Sequence, residues 1–383
     1  MAARSGIDLE EANQRHLNAG PYEYSVRLMS QHRSVREPSQ GFREWEVDLE
    51  RPIRLPNKAA IDRELGTHGV EQASLAHGDA LHEAGRSLLS LWFAWYREHF
   101  TAEQWQGQIG TLKQQLDNAH KRVRAGDAAK LDAMLSEAAL AQAEAQWQQA
   151  RMREQIASTN ITQRFRGITL PSNPALAPPK PLSTSAEYWR ERILMHNHEL
   201  GLARGETKRW RLNASRSQAD RLPDPTLGLR FVSDRDGAER VVGVNVQIPL
   251  PGSGRAAMAE GVEAQANMAS SREAAVLRKL EAEAMNSYAT ATSSYASWKT
   301  MRSVQEAMQG NADLMGRAYA LGEAGLTEVL MARRQALDAS LSATLAQIDA
   351  AEARYRLMLD GHELWPIDQD EGGSELDKGD AKH

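Results

Sequence analysis

The chain has 383 residues, no cysteine, a net charge of −5 and an aromatic content of 6%. Without cysteine it cannot use a thiol nucleophile, a Cys-ligated metal, a disulfide or a lipidated N-terminal Cys, and its small net charge gives no electrostatic basis for binding nucleic acid. Its richness in Ala, Gln, Glu and Arg favours long helices over compact globules. No apolar run approaches the length of a transmembrane helix, and the first 16 residues contain no apolar core of a signal peptide.

The first half of the chain predicts two strands followed by two helices. Apolar and polar residues alternate at 22–30 and again at 42–53, which is typical of strands with one apolar face. Helical sequence begins after Leu55-Pro56 and covers about 58–125 and, beyond a turn at Gly126, about 130–159. We assign 1–166 to a first structural repeat. Six glycines weigh against one unbroken longer helix, and they stand at 66, 69, 78, 85, 107 and 110.

The second half predicts the same order of elements. Residues 167–184 contain five prolines and form an extended connector. A second repeat, 185–366, follows, and residues 367–383 are polar and predicted to be disordered. Its predicted elements are a helical run at 185–220, strands at 225–233 and 239–250, and helices at 255–321 and 327–359.

Two landmarks recur at a nearly constant offset. Leu55-Pro56 and Leu250-Pro251 lie 195 positions apart, and Gly126 lies 196 positions before Gly322. This spacing predicts an internal duplication. At about 1.5 Å per residue the longer helices would extend roughly 100 Å, so they need partners along their length, as in a coiled coil.

The four predicted strands point to a membrane. One chain has only two hairpins and cannot close a barrel, but an oligomer can, and closed barrels are the sheets that a bilayer tolerates. Apolar residues would face lipid and charged residues a watery lumen. A soluble sandwich that buries one face of each hairpin is the alternative, because alternation alone does not distinguish the two. The residues expected in the lumen are Arg27, Glu44, Glu46, Asp48, Glu50 and Arg230.

Several motifs resemble those of the TolC outer-membrane efflux protein family, and most of all its cobalt-zinc-cadmium (CzcC-like) branch. The resemblance covers 22–365 and is stronger in the second half. It rests on LPDPTLGL at 222–229, IPLPGSGR at 248–255, AYALGEAGLTEVLMARRQAL at 318–337 and RYRLMLDG at 354–361.

This resemblance implies a mainly α fold with a small β part, and a function in export. Four strands from each protomer of a homotrimer would form a 12-stranded transmembrane β-barrel, and the helices a long coiled-coil barrel in the periplasm. Such a channel lies in the outer membrane and docks on a periplasmic adaptor and an inner-membrane pump of the resistance-nodulation-division type. It is passive, so no enzymatic activity and no cofactor are expected; the branch suggests divalent metal ions or small toxic compounds as cargo.

The front of the chain departs from the family pattern. Members begin with a signal peptide and a helical stretch, whereas only Ile7 to Ala19 precede Tyr22 here. Either the start is assigned too late or this is a truncated copy whose first repeat lacks its leading helical run. The alternative function is therefore a truncated, non-inserting periplasmic helical scaffold without transport activity.

The resemblance places a gate at the two helix turns. Gly126 and Gly322 would form the periplasmic tips for adaptor docking. Asp132 and Glu328 would form an acidic gate and selectivity ring around the threefold axis, with Tyr319 as a gating hydrogen-bond donor. The alternative is that both acids are ordinary first-turn residues favoured by the helix dipole. At the start of each long helix, Pro56 and Pro251 would form the bends from strand to helix.

The remaining motifs carry no predicted chemistry. No nucleophile elbow, P-loop or His-Glu-x-x-His motif is present. His196 and His198 lie two apart on a predicted helix and would point to different faces, and the histidines at 68, 77 and 82 are expected to be solvated, so no metal site is predicted. The aromatic residues Trp92, Trp95 and Tyr96 are expected to pack against the connector and the tail.

Overall fold

The computed structural model describes residues 2–364, and these residues are mainly helical. The predictions for 365–383, the end of the second repeat and the disordered tail, lie outside the described residues. The described elements, in chain order, are α1 (Ala2–Ala19), β1 (Ser25–Val35), β2 (Gln40–Pro52), α2 (Pro56–Ala125), α3 (Lys130–Arg164), α4 (Ala186–Met195), α5 (His198–Ala219), β3 (Thr226–Asp234), β4 (Glu239–Gln247), α6 (Ser253–Ala320) and α7 (Leu326–Asp360).

The chain divides into two compact units. The sheet unit combines the chain up to Ala80 with His198–Lys279, and the helical unit combines Leu81–Asn197 with the chain from Leu280 on. Each unit therefore takes segments from both predicted repeats. The two compact units do not correspond to the predicted repeats at 1–166 and 185–366. The division into repeats stays a prediction.

The four strands form one antiparallel sheet in the order β1-β2-β3-β4. The two hairpins are joined through β2 and β3, where Asp48 pairs with Arg230. A 3-10 turn at Arg235–Gly237 connects β3 to β4. The sheet leaves β1 and β4 as edge strands within the described part of the chain.

The C-terminal ends of β1 and β4 differ from the predictions. β1 was expected at 22–30 but continues to Val35, because the hairpin ladder pairs Val35 with Gln40 regardless of the polar side chains between them. β4 was expected to reach Leu250 but ends at Gln247. Pro249 and Pro251 have no N–H to donate, so the ladder cannot continue through them.

A leading helix, α1 of 18 residues, precedes β1. The run at the equivalent place in the second half consists of α4 and α5, which have 10 and 22 residues, so the expectation that the first repeat has a shorter leading run stays a prediction. α2 is also unbroken over 70 residues despite its glycines. One of these glycines has a packing role. A Cβ at Gly66 would lie 2.9 Å from the Gln14 side chain of α1, so glycine there permits α1 and α2 to approach each other.

The run predicted at 185–220 forms two helices instead of one. Ser185 caps α4 by accepting a hydrogen bond from the N–H of Tyr188 at 3.2 Å, and α4 ends at Met195. The break at 196–197 coincides with the boundary between the two compact units. α4 belongs to the helical unit, where Trp189 and Ile193 pack on α6 and α7.

Alanine-rich packing fills the helical unit. One cluster combines Trp105 and Ile109 of α2 with Ala143 and Ala150 of α3 and with Leu337 of α7. Small alanines allow close helix contacts, as predicted for coiled-coil packing. Helix boundaries differ from the predicted ones by up to five residues: α2 begins at Pro56, α3 continues to Arg164, α6 begins at Ser253 and α7 ends at Asp360.

Candidate functional site

One face of the sheet carries a network of charged side chains. The predicted set shares this face, as the cross-strand row Arg27, Asp48 and Arg230 shows. Arg230 donates to Glu46 at 2.6 Å. Arg33, a residue that the prediction did not include, lies 3.0 Å from Glu44, which is only 2% exposed. Acids are therefore held in place by arginines of neighbouring strands.

The other face of the sheet is apolar and exposed. Cross-strand rows align Val26, Leu49, Leu229 and Val244, and the next row has the same character. Val244 is 76% exposed and Leu49 37%. A contiguous exposed surface of this kind marks an interaction with lipid or protein.

A buried ionic cluster joins the strands to α2. The Lys58 side chain is 1% exposed, and its Nζ lies 3.1 Å from Asp220 and 3.0 Å from Asp224. Asp224 also accepts hydrogen bonds from Tyr22 Oη at 2.9 Å and from the N–H of Leu55 at 3.1 Å. Sequence reasoning missed this cluster because its members form two groups that are separated by more than 150 positions in the sequence.

We call this group of charged side chains the junction cluster, and its charges cancel because it contains three carboxylates and three cations. Its members are Arg54, Lys58, Asp62, Arg216, Asp220 and Asp224. Asp62 accepts from Arg54 at 3.1 Å and from Arg216 at 2.6 Å, and Arg216 also pairs with Asp220. Such pairing compensates for the desolvation of each charge. The sequence features that could have indicated this cluster are the four-residue spacings between Lys58 and Asp62 and between Asp220 and Asp224.

The pKa values of the cluster follow from these contacts. Burial and then the hydrogen bond to Asp224 raise the pKa of Tyr22 from 10.0 to about 12. Burial would raise the pKa of Asp224, but hydrogen bonds from Lys58, Leu55 and Tyr22 outweigh it and hold that pKa below the ordinary value. Tyr22 is therefore neutral, and Asp224 ionised, across the physiological range.

The two helix turns have matching backbone geometry. Gly126 and Gly322 have φ values of 83° and 81°, in the left-handed region that glycine adopts without strain. At each turn the N–H of the next residue reaches back five positions: Asp127 to Arg122 at 2.9 Å, and Glu323 to Ala318 at 2.8 Å. Both helices thus end in the same capping motif.

The predicted gate residues occupy different environments. Asp132 is half-buried in the first turn of α3, whereas Glu328 is exposed and accepts a hydrogen bond from the N–H of Gly325 at 2.9 Å, as an N-terminal capping residue does. The half-buried Tyr319 ring lies 4.8 Å from the guanidinium of Arg122. Tyr319 therefore makes a cation–π contact with Arg122, and the gating hydrogen bond expected from its hydroxyl stays a prediction.

The two prolines differ in position. Pro56 is the first residue of α2, where its fixed φ suits the helix and its missing N–H is not needed. Pro251 lies in the segment between β4 and α6, two residues before α6 begins at Ser253. The N–H groups of Lys58 and Ala59 both donate to the carbonyl of Leu55, at 3.0 and 3.2 Å, which tightens the first turn of α2.

The expectation that the histidines at 68, 77 and 82 are solvated was wrong for two of them. His68 and His82 are 4% and 5% exposed, whereas His77 is half-buried. Within the helical unit the ring of His362 stacks between those of His82 and His196, with centroid separations of 5.2 and 5.4 Å. Stacked imidazoles do not converge on an ion, and among residues 2–364 no group of His, Asp and Glu has the arrangement of a metal site.

Two of the three aromatic residues expected at the connector lie near it. Trp92 and Tyr96 pack, together with Leu176 of the connector, against a core formed by Phe93 and Ile348, whereas Trp95 is not part of this cluster. Their expected contact with the tail falls outside the described residues. Among the helices that the structure describes, none combines the length and apolarity needed to cross a bilayer.

The chain combines a four-stranded sheet that has one apolar and one charged face with helices of 70 and 68 residues. Solved structures of outer-membrane channels share this fold. VceC from Vibrio cholerae is 14% identical, with a TM-score of 0.76 over 94% of this chain and 92% of that chain. The Campylobacter jejuni CmeC outer membrane channel is 10% identical, with a TM-score of 0.74 over 94% and 82%. For the open state of the Neisseria gonorrhoeae MtrE outer membrane channel the identity is 14% and the TM-score 0.67, over 94% and 86%.

The sequence comparison agrees with the fold comparison. Residues 189–359 match the model of the outer membrane efflux protein family. This matched segment contains α5, β3, β4 and α6 entirely, together with most of α4 and α7. No curated protein matches the sequence.

Proposed function

We propose that this chain is the protomer of an outer-membrane efflux channel that works as a homotrimer. The observation that carries the proposal is the asymmetry of the sheet: its apolar face is exposed, and its other face holds paired charges. A bilayer requires an apolar outside and tolerates a polar inside only in a closed barrel. Three copies of the sheet, each joining β4 to β1 of the next copy, give a 12-stranded barrel.

The charged face would line a hydrated lumen. Arginines from β1 and β3 flank the acids of β2, so the wall carries both signs of charge. Cargo passes by diffusion, and the energy for export comes from the partners. These are a periplasmic adaptor, which docks at the tips around Gly126 and Gly322, and an inner-membrane pump of the resistance-nodulation-division type.

The matching turns support two further parts of the proposal. Their common φ values and capping bonds favour an origin by duplication, with 1–166 and 185–366 as the repeats. Threefold symmetry then brings three copies each of Asp132 and Glu328 near the axis, where carboxylates attract cations. Divalent metal ions, as in the CzcC-like branch, are the cargo that we favour, with small toxic compounds next. Most of the chain lies in the periplasm.

Charge substitutions on the two faces of one strand test the barrel. Val244→Arg puts a charge on the apolar face, which costs about 2–4 kcal/mol near the bilayer midplane. Gly243→Arg is the matched control, because the neighbouring position lies on the charged face and has no heavy atom within 4 Å of its ideal Cβ. Membrane fractionation and detergent-resistant trimers, analysed by gel electrophoresis, are the measurements.

Three outcomes separate the channel from the scaffold. Recovery of the wild type and of Gly243→Arg as outer-membrane trimers, with loss of Val244→Arg, supports the channel. Recovery of all three as monomers outside the membrane refutes it and favours the periplasmic scaffold. Equal membrane recovery of both variants refutes the assignment of the apolar face to lipid. For trimers, conductance in planar bilayers then tests transport.

A further inference from the structure

A cavity of about 530 Å³ lies in the helical unit, between α2, α7 and the connector. Its apolar wall includes Trp92, Phe93 and Tyr96 of α2 and Tyr355 of α7, and residues 175–180 of the connector form the opposite side. All of these residues belong to one compact unit. The volume falls in the range of small-molecule sites, about 300–1,000 Å³.

The walls of the cavity are held in place. Gln347 Nε2 donates to the carbonyls of Leu176 and Ala177, at 3.3 and 3.2 Å, and so fixes the connector to α7. Trp92 and Tyr96 have ring centroids 5.8 Å apart, and Phe93 and Tyr355 have theirs 6.0 Å apart. Such rings present flat faces to a flat guest.

Two cations line this apolar cavity, Arg354 and Lys180. Arg354 Nε is buried and has no hydrogen-bond acceptor among the described residues. Elsewhere on α7, Arg334 and Arg356 pair with carboxylates four residues away, whereas no such pair is described for Arg354. Nε itself is closed to solvent, so only the part of the guanidinium that lines the cavity is available to a ligand. A carboxylate is the group that a guanidinium binds best.

We infer that this cavity binds an aromatic carboxylate with about two fused rings. The ring system would lie against Trp92 and Tyr96, and the carboxylate would accept hydrogen bonds from Arg354 with Lys180 nearby. None of the residues that line the cavity belongs to the charged sheet face or to the gate acids Asp132 and Glu328 that the proposed function uses. The cavity therefore adds a ligand site to that proposed function.

Isothermal titration calorimetry of the full chain in detergent tests the site, with 2-naphthoate as probe, 2-naphthamide as its neutral analogue and a detergent blank. Arg354→Met removes the cation but keeps much of the apolar stem. Arg302→Met is the matched control, since Arg302 lies on α6, pairs with Glu306 and does not line the cavity. Tyr355→Ser removes one aromatic wall at a position that is 41% exposed.

The expected result is one saturable site per chain, with the amide bound about 10-fold more weakly than the carboxylate. Arg354→Met should remove this difference, Arg302→Met should keep it, and Tyr355→Ser should weaken both ligands. Absence of saturable binding, equal binding of the two ligands to the wild type, or equal effects of Arg354→Met and Arg302→Met would overturn the inference. Circular dichroism spectra confirm that each variant is folded before titration.

Discussion

Removal of the buried Lys58 ammonium should destabilise the junction between the strands and α2. Lys58→Met keeps the apolar stem and deletes the charge that lies 3.1 Å from Asp220 and 3.0 Å from Asp224. Breaking a fully buried ion pair costs about 3–5 kcal/mol. The cost here should be smaller, because Asp224 keeps two other donors and Asp220, 40% exposed, keeps Arg216. We expect a loss of about 2–3 kcal/mol in the free energy of unfolding.

Urea titration of the full chain, followed by far-ultraviolet circular dichroism, measures this loss. Lys58→Met combined with Asp224→Asn should recover part of it, because the second change removes the uncompensated carboxylate. Lys113→Met is the control, since Lys113 lies 3.6 Å from Glu144 in an exposed pair, which contributes about 0–1 kcal/mol. A loss no larger than that of the control, or strictly additive costs in the double variant, would refute the assignment of Lys58 as the centre of the cluster.

Three further predictions concern the turns, the junction and the gate. Gly322→Ala should destabilise the chain by about 1 kcal/mol because the φ of Gly322 is 81°. Gly310→Ala, inside α6 with open space at its Cβ, should stabilise the chain by about 0.5–1 kcal/mol. Thermal unfolding midpoints of the two variants that shift in the same direction would contradict this. The raised pKa of Tyr22 means that the folded chain keeps a proton that the unfolded chain loses above pH 10, so stability should be intact below pH 10 and fall up to about pH 12. Tyr22→Phe should flatten this fall in urea titrations against pH, and an unchanged profile would argue against the Tyr22–Asp224 bond. Asp132→Asn with Glu328→Gln should lower cation selectivity and raise conductance in planar bilayers, and unchanged closure would leave both acids as ordinary first-turn residues.

Periodic patterns predicted the elements well because each records a local property of the backbone. Alternation from Val242 to Val246 places β4, and the glycine turns at 126 and 322 place the helix ends to within a few residues. The strand ends were mispredicted where strand pairing extended β1 to Val35 and where Pro249 prevented β4 from continuing.

Contacts between distant segments could not be predicted in the same way. Tertiary structure brings Lys58 to Asp220 and Asp224, and nothing in the sequence near Lys58 identifies those partners. The histidines illustrate the same limit, since His82 and His362 stack although 280 positions separate them in the sequence. Packing of Trp92 against the connector was expected, but the cavity between them was not, because Arg354 and Tyr355 of its lining come from α7.

The edges of the sheet have a consequence for the proposed assembly. Within residues 2–364, β1 and β4 are the edge strands and lie next to an exposed apolar surface, and such edges act as templates for adding another strand. A lone protomer is therefore open to two kinds of partner, a correct neighbour or a misfolded chain. The time that it spends alone sets the risk of aggregation, so rapid association or protection by a chaperone is a condition for a good yield of the assembled protein.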